Sequence, residues 1–174
     1  MATADFLISQ CLHVFLAMFQ VRSLVISPQD DQRTWLKYAS LCRNAGRLQL
    51  SHKTLVTILG KDPLDNLEVP LPTQHPQATF AFTKHLWDTG MKEKGLQHLQ
   101  SFVHNSLHPK CAHVSQEASH NDGLKEQESE LRQLLARCYL RLGQWQENMQ
   151  GVNDRSIPAI LQCYAAATEY DSAW

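Results

Sequence analysis

The chain has 174 residues, enough for one domain with a real apolar core. Its formal net charge of −1 gives no electrostatic reason to expect a nucleic acid or an acidic membrane surface as partner. Charged residues make up 19%, below the roughly 25% usual for a free-standing domain, so part of the surface is expected to be covered within a larger chain.

Residues 1–26 open with an apolar run, Phe6-Leu7-Ile8 to Phe19, continuing to Val21, Leu24 and Val25. It lacks the basic start and small-residue cleavage site of a signal peptide. Ser9, Gln10, His13, Gln20 and Arg22 interrupt it too often for a membrane span. A buried or partner-facing helix is expected, with residues 1–20 set apart from the rest of the chain.

The stretch Ser27–Pro63 reads as two helices joined by a tight turn. Ser27 can accept from a free amide of a first helical turn, Pro28 suits the first helical position, and Asp30 and Asp31 favour the positive helix end. Trp35, Leu36, Ala39 and Cys42 recur at helical spacing, Ala45-Gly46 breaks the run, and Leu48, Leu50, Leu55, Ile58 and Leu59 form a second run. Gly60 and Pro63 end it. Small Ala39 and Ser51 between large Trp35 and Leu55 give tetratricopeptide-like offsets. One such pair cannot bury its apolar face alone, so it should belong to a stack.

Lys61–His75, with Pro63, Pro70 and Pro72, reads as an extended connector. Pro76 opens a third helix to about Thr89, carrying Phe80, Phe82, Leu86 and Trp87 and closed by Gly90. A fourth, about Met91–Leu107, carries Leu96, Leu99, Phe102 and Val103. Residues 108–123 are rich in Ser, His and Asn and read as a mobile loop, with Ser115 and Ser119 as candidate phosphorylation sites. A fifth helix, about Leu124–Leu142, carries Leu131, Leu134, Leu135, Cys138 and Tyr139, and Gly143 closes it. Gln144–Gln150 reads as a short sixth helix burying Trp145 and Met149. Ser156 caps a seventh, about Ile157–Tyr170, with Ile160, Leu161, Tyr164, Ala165 and Ala167 as its apolar residues. The aromatic end at Trp174 suggests a cut through a continuing array. The pattern predicts an all-α, irregular tetratricopeptide/HEAT-like helical-repeat solenoid of antiparallel pairs, with hairpins at about 28–60, 76–107 and 124–150, then a helix at 157–170.

Catalytic signatures are lacking. The seven glycines are isolated, so there is no phosphate-cradling loop. There is no His-Arg-Asp or Asp-Phe-Gly kinase motif, no Gly-x-Ser-x-Gly elbow and no His-Glu-x-x-His. Cys11, Cys42, Cys111, Cys138 and Cys163 are odd in number and scattered, which fits a reducing compartment and small buried side chains. His104, His108, Cys111 and His113 have the residue types zinc takes, but Pro109 breaks the helix that would align them. Lys84, Lys92, Arg137 and Arg141 lie on or beside neighbouring hairpins, as candidate anion contacts or as four separately solvated side chains.

Three long strings carry a family resemblance: RTWLKYASLCRNAGRL…HKTLVTILGKDP over Arg33–Pro63, PLPTQHPQATFAF over Pro70–Phe82, and ARCYLRLGQWQENMQG…IPAILQCYAAATEYDSAW over Ala136–Trp174. They closely resemble the FAT region of target-of-rapamycin (TOR) protein kinases, within the phosphatidylinositol 3-kinase-related family. The resemblance covers about Val21–Trp174. It implies a segment of α-solenoid that wraps a kinase domain as a clamp and carries no catalytic residue. ATP and magnesium would belong to the kinase domain, not to this segment. It implies as partners the chain's own kinase domain, neighbouring FAT repeats and TOR-complex subunits, with cytoplasmic, lysosomal-membrane and nuclear locations. It also implies an inositol hexakisphosphate pocket, for which Lys84, Lys92, Arg137 and Arg141 are candidates by helix position. The alternative is a free-standing tetratricopeptide-like peptide-binding adaptor. Adaptors that grip peptide carboxylates resemble one another in a Lys and an Asn at positions held here by Leu36 and Ser40, which cannot clamp that group.

Overall fold

A computed structural model describes residues 14, 17, 21, 25–28, 30–66, 68–118 and 122–170. The expected amino-terminal helix lies largely outside the described residues. Among the described residues there are α-helices and no strand, as the sequence pattern predicts. They are α1 (Gln32–Asn44), α2 (Leu48–Leu59), α3 (Pro76–Asp88), α4 (Lys92–Phe102), α5 (His108–Ala118), α6 (Asp122–Gln150) and α7 (Ile157–Tyr170). The chain divides into two compact units, Met1–Lys92 and Glu93–Trp174.

In the first unit α1 starts later than expected. Ser27 Oγ donates to Asp30 Oδ2 at 2.7 Å and accepts from the Asp30 amide at 3.3 Å, closing a separate turn before the helix. Short polar side chains that bond the nearby backbone compete with helix in this way. Trp35, Tyr38, Ala39 and Cys42 then place one face of α1 inward, the last three of them buried. Gly46 ends the helix at φ 73°, with the Arg47 amide on Cys42 O at 2.8 Å and the Gly46 amide on Arg43 O at 3.0 Å. This paired closure satisfies two orphan carbonyls and turns the chain back as α2.

Buried Ala39 and Ser51 are the small residues of the α1–α2 pair. The core gathers Ala39, Leu55, Ile58, Leu59, Leu71, Ala78, Phe82 and Leu86 from α1, α2, α3 and the connector. Burying each large apolar side chain contributes about 1.5–3 kcal/mol. Within the connector, Pro63–Asn66 forms a 3-10 turn, where an extended segment was expected. Asp62 Oδ1 accepts from the Leu64 amide at 2.9 Å and starts that turn. Further on, Thr79 Oγ1 donates to Pro72 O, tying the connector to α3.

In the second unit the expected mobile loop is helical as far as the described residues reach. The π-helical segment Val103–Leu107 joins α4 to α5 without a break. Pro109 is the reason for the π turn. It has no N–H for the Asn105 carbonyl, and its ring would strike that carbonyl in a regular α-helix. The widened turn avoids the clash, and the His108 amide bonds Val103 O instead. Leu107, Cys111 and Val114 are buried at helical spacing. That periodicity straddles residue 108, so a loop boundary placed there divides it.

Gly143 does not end a helix either. α6 runs unbroken to Gln150, so the expected hairpin at 124–150 is a single long helix. Leu131, Leu134, Leu135, Cys138, Leu142 and Trp145 form one buried stripe along it. Its partners are α7, and α5 with the π turn. Both pairs run antiparallel. Ser115 Oγ of α5 donates to Glu128 Oε1 at 2.7 Å, and Tyr164 OH of α7 donates to Glu147 Oε2 at 3.1 Å. Met149 and Leu161, expected inside, are 37% and 60% exposed.

Candidate functional site

The α6–α7 hairpin carries an open apolar groove. Its connection is built by Ser156, whose Oγ donates to Gly151 O at 2.7 Å and accepts from the Asn153 amide at 3.0 Å. Gly151 supplies the left-handed φ of 68° at the end of α6. α7 then leans closely on α6, because Gly143 has no side chain where the Tyr164 ring rests. Ala136, Arg137 and Leu140 of α6 and Tyr164, Ala167 and Thr168 of α7 line a hollow of about 250 Å³. Leu161 lies one turn before Tyr164 on the same helix and projects into solvent. The small Ala136 and Ala167 among larger Leu140 and Tyr164 leave a groove of the kind that a side-chain ridge can enter.

The far end of α7 is pinned to both neighbouring helices. Tyr170 OH and His108 Nε2 are 2.9 Å apart, and the Tyr170 ring stacks on Tyr139 at 5.9 Å with 4° between planes. Arg132 covers the Tyr170 ring at 5.8 Å and donates to Glu169 O at 3.4 Å.

A polar cluster occupies the first unit. His52 Nε2 and Asp62 Oδ2 are 2.8 Å apart, and the His52 ring stacks on His85 at 5.3 Å with 25° between planes. Arg43 pairs with Asp88. Burial above all, then His52 and Arg43, push His85 down from 6.5 to about 4. For Asp62 burial is the largest single effect and raises its pKa, but the Leu64 amide and the His52 ring together outweigh it and leave it below the usual carboxylate range.

The four basic candidates divide between the units. Lys84 Nζ lies over the Phe80 ring at 4.4 Å and Lys92 Nζ over Trp87 at 5.2 Å. Arg137 and Arg141 are exposed one helical turn apart on α6, and Arg137 Nε donates to Gln133 O at 3.1 Å. Arg137 also borders the groove. Of the zinc-type residues, Cys111 is buried while His104, His108 and His113 are exposed. Among the described residues no group of three or more metal-ligating side chains converges. Ser115 sits within α5, and a phosphate there would face Glu128, which already accepts its hydroxyl. Ser119 lies outside the described residues.

The groove and the histidine pair were not legible in the sequence. The small Ala167 three residues after Tyr164 was the available signal for the groove. For His52 and His85, far apart in the chain, there was none.

Among the described residues no helix is long and apolar enough to cross a membrane. The FAT domain family matches residues 10–174, beginning inside the segment 1–20 that the sequence pattern sets apart. The chain is 42% identical over 160 residues to the serine/threonine-protein kinase mTor of Drosophila melanogaster, covering 90% of the chain and 6% of that protein. It is 35% identical over 162 residues to the serine/threonine-protein kinase tor1 of Schizosaccharomyces pombe, covering 88% of the chain and 7% of that kinase. It is 31% identical over 170 residues to the serine/threonine-protein kinase TOR2 of Saccharomyces cerevisiae, covering 94% of the chain and 7% of that kinase. The chain thus spans a small fraction of the relatives it matches. With its all-helical architecture and a family match along most of its length, this chain belongs to the FAT domain family.

Proposed function

We propose that this chain is a non-catalytic scaffold segment of a TOR-type serine/threonine kinase. In this reading its helices clamp the kinase domain, pack against neighbouring FAT repeats and support assembly with TOR-complex subunits in nutrient and growth signalling. Its location would follow that of the whole kinase, in cytoplasm, nucleus and at the lysosomal membrane. Phosphoryl transfer, ATP and magnesium would belong to another part of the kinase. The observation that carries the reading is the α6–α7 groove, a mostly apolar hollow of about 250 Å³, on a hairpin whose α7 also exposes Leu161. Such a groove suits the ridge of a further helix, as stacked helical repeats require. Inositol hexakisphosphate is a proposed ligand, with Lys84, Lys92, Arg137 and Arg141 as proposed contacts.

The test is a TOR kinase carrying this segment with Ala167→Glu in the groove and Leu161→Glu on the exposed surface of α7. Loss of kinase activity and of complex assembly is expected, with the helicity of the isolated 174-residue chain unchanged. Normal assembly and activity in the double variant would overturn the scaffold reading of the groove.

A further inference from the structure

α1, α2, α3 and the loop after α2 bring five ionisable side chains together in the first unit. α1 supplies Arg43, α2 supplies His52, the loop supplies Asp62, and α3 supplies His85 and Asp88. Both carboxylates are engaged, Asp88 by Arg43 and Asp62 by His52. His85 is 2% exposed, stacked on His52, with the Phe82 ring at 5.9 Å. Nδ1 of His85 and Nδ1 of His52 are both buried without a hydrogen-bond partner. Such orphaned ring nitrogens are uncommon in a packed core.

We propose that the His52–His85 stack is a proton-operated latch between α2 and α3, held closed while His85 is neutral and loosened when His85 takes a proton. A proton on His85 would create an imidazolium inside the apolar core. It would face the His52 ring and the Arg43 guanidinium, while both nearby carboxylates already have cationic or hydrogen-bonding partners. At 2% exposure His85 has little access to water that could screen the new charge, so separation of the two helices relieves it.

The direction is set by proton linkage. With α3 in place, His85 binds its proton only near pH 4. With α3 released, it binds near its ordinary value of 6.5. Above that value neither state is protonated and the latch is insensitive to pH. Between the two values opening takes up one proton, so each unit of acidification multiplies the opening constant by about tenfold. Below about pH 4 both states carry the proton and the dependence ends.

Amide hydrogen exchange of the 174-residue chain reads this opening directly. After correction for intrinsic rates, protection of the α3 amides should fall about tenfold per pH unit between about pH 6 and 4.5. In His85→Gln that slope should vanish, while exposed His113→Gln should keep it. His52→Gln removes the facing ring, so its slope should flatten at a higher pH than in the parent chain. The His85 ring itself, followed by NMR in the parent chain, should not titrate down to about pH 5. A parent slope retained in His85→Gln would overturn the latch. If that variant does not fold, a His85 ring titrating near its ordinary value, or a His52→Gln slope identical to the parent's, would overturn it.

Discussion

The Tyr164 ring occupies the space a side chain at Gly143 would need. A Cβ built on Gly143 lies 2.8 Å from Tyr164 Cε1 and 3.1 Å from Cζ. The ring cannot yield freely, because its hydroxyl is held by Glu147 on the same helix as Gly143. Gly143→Ala gains about 1 kcal/mol of helix propensity. The overpacking it forces costs about 1–3 kcal/mol. A net loss of about 1 kcal/mol is expected in urea unfolding. In a Tyr164→Ala background the clash is gone, and Gly143→Ala should become stabilising. A stabilising effect in both backgrounds would show that the close approach carries no cost.

Asp62 holds together the end of α2, the 3-10 turn and His52. Its carboxylate accepts from the Leu64 amide and faces the His52 ring. Asp62→Asn should destabilise the chain by about 1 kcal/mol, since the carboxylate is partly exposed and screened. Because the folded pKa lies below its ordinary value of 3.8, Asp62 contributes stability above that value. The contribution is lost as pH falls through the lower folded value. Thermal melts of parent and variant should therefore differ at pH 7 and converge as pH falls from the ordinary value of 3.8 through the lowered folded value.

Tyr170 joins α7 to α5 through one hydroxyl. Tyr170→Phe keeps the stack on Tyr139 and removes only the contact with His108. A loss of about 0.5–1.5 kcal/mol is expected. The faster exchange should be confined to the last turn of α7 and the start of α5. Equal loss of protection along the whole of α6 would show instead that the contact holds the unit together globally.

If the chain is the proposed non-catalytic scaffold, the purified chain should neither bind ATP nor transfer phosphate. It has no Gly-rich phosphate loop and no kinase catalytic motif. Magnesium-dependent phosphorylation by material free of contaminating kinase would refute this.

Inositol hexakisphosphate, if it uses the proposed basic residues, should raise the melting temperature by mass action. Arg141→Ala should reduce that rise, because a guanidinium holds phosphate through charge-assisted hydrogen bonds. An unchanged melting temperature at saturating ligand would remove these residues as contacts within this chain.

Local chemistry made much of the fold legible from the amino acids alone. Gly46, Gly60 and Gly90 end helices at positive φ, Pro76 opens α3, and the apolar stripes identify the faces of α1, α2 and α6. Each depends on a residue's own backbone preference or on neighbours within two turns. Tertiary structure decided what depends on distant partners. Gly143 resembles the other turn glycines in sequence, yet it lies inside α6, where its missing side chain makes room for Tyr164 of α7. Pro109 suggests a break, yet the helix passes through a π turn that keeps Leu107, Cys111 and Val114 on one buried side. The groove and the His52–His85 stack exist only where separate helices meet. Backbone preference is local, whereas packing and the electrostatics of burial depend on which surfaces the fold brings into contact.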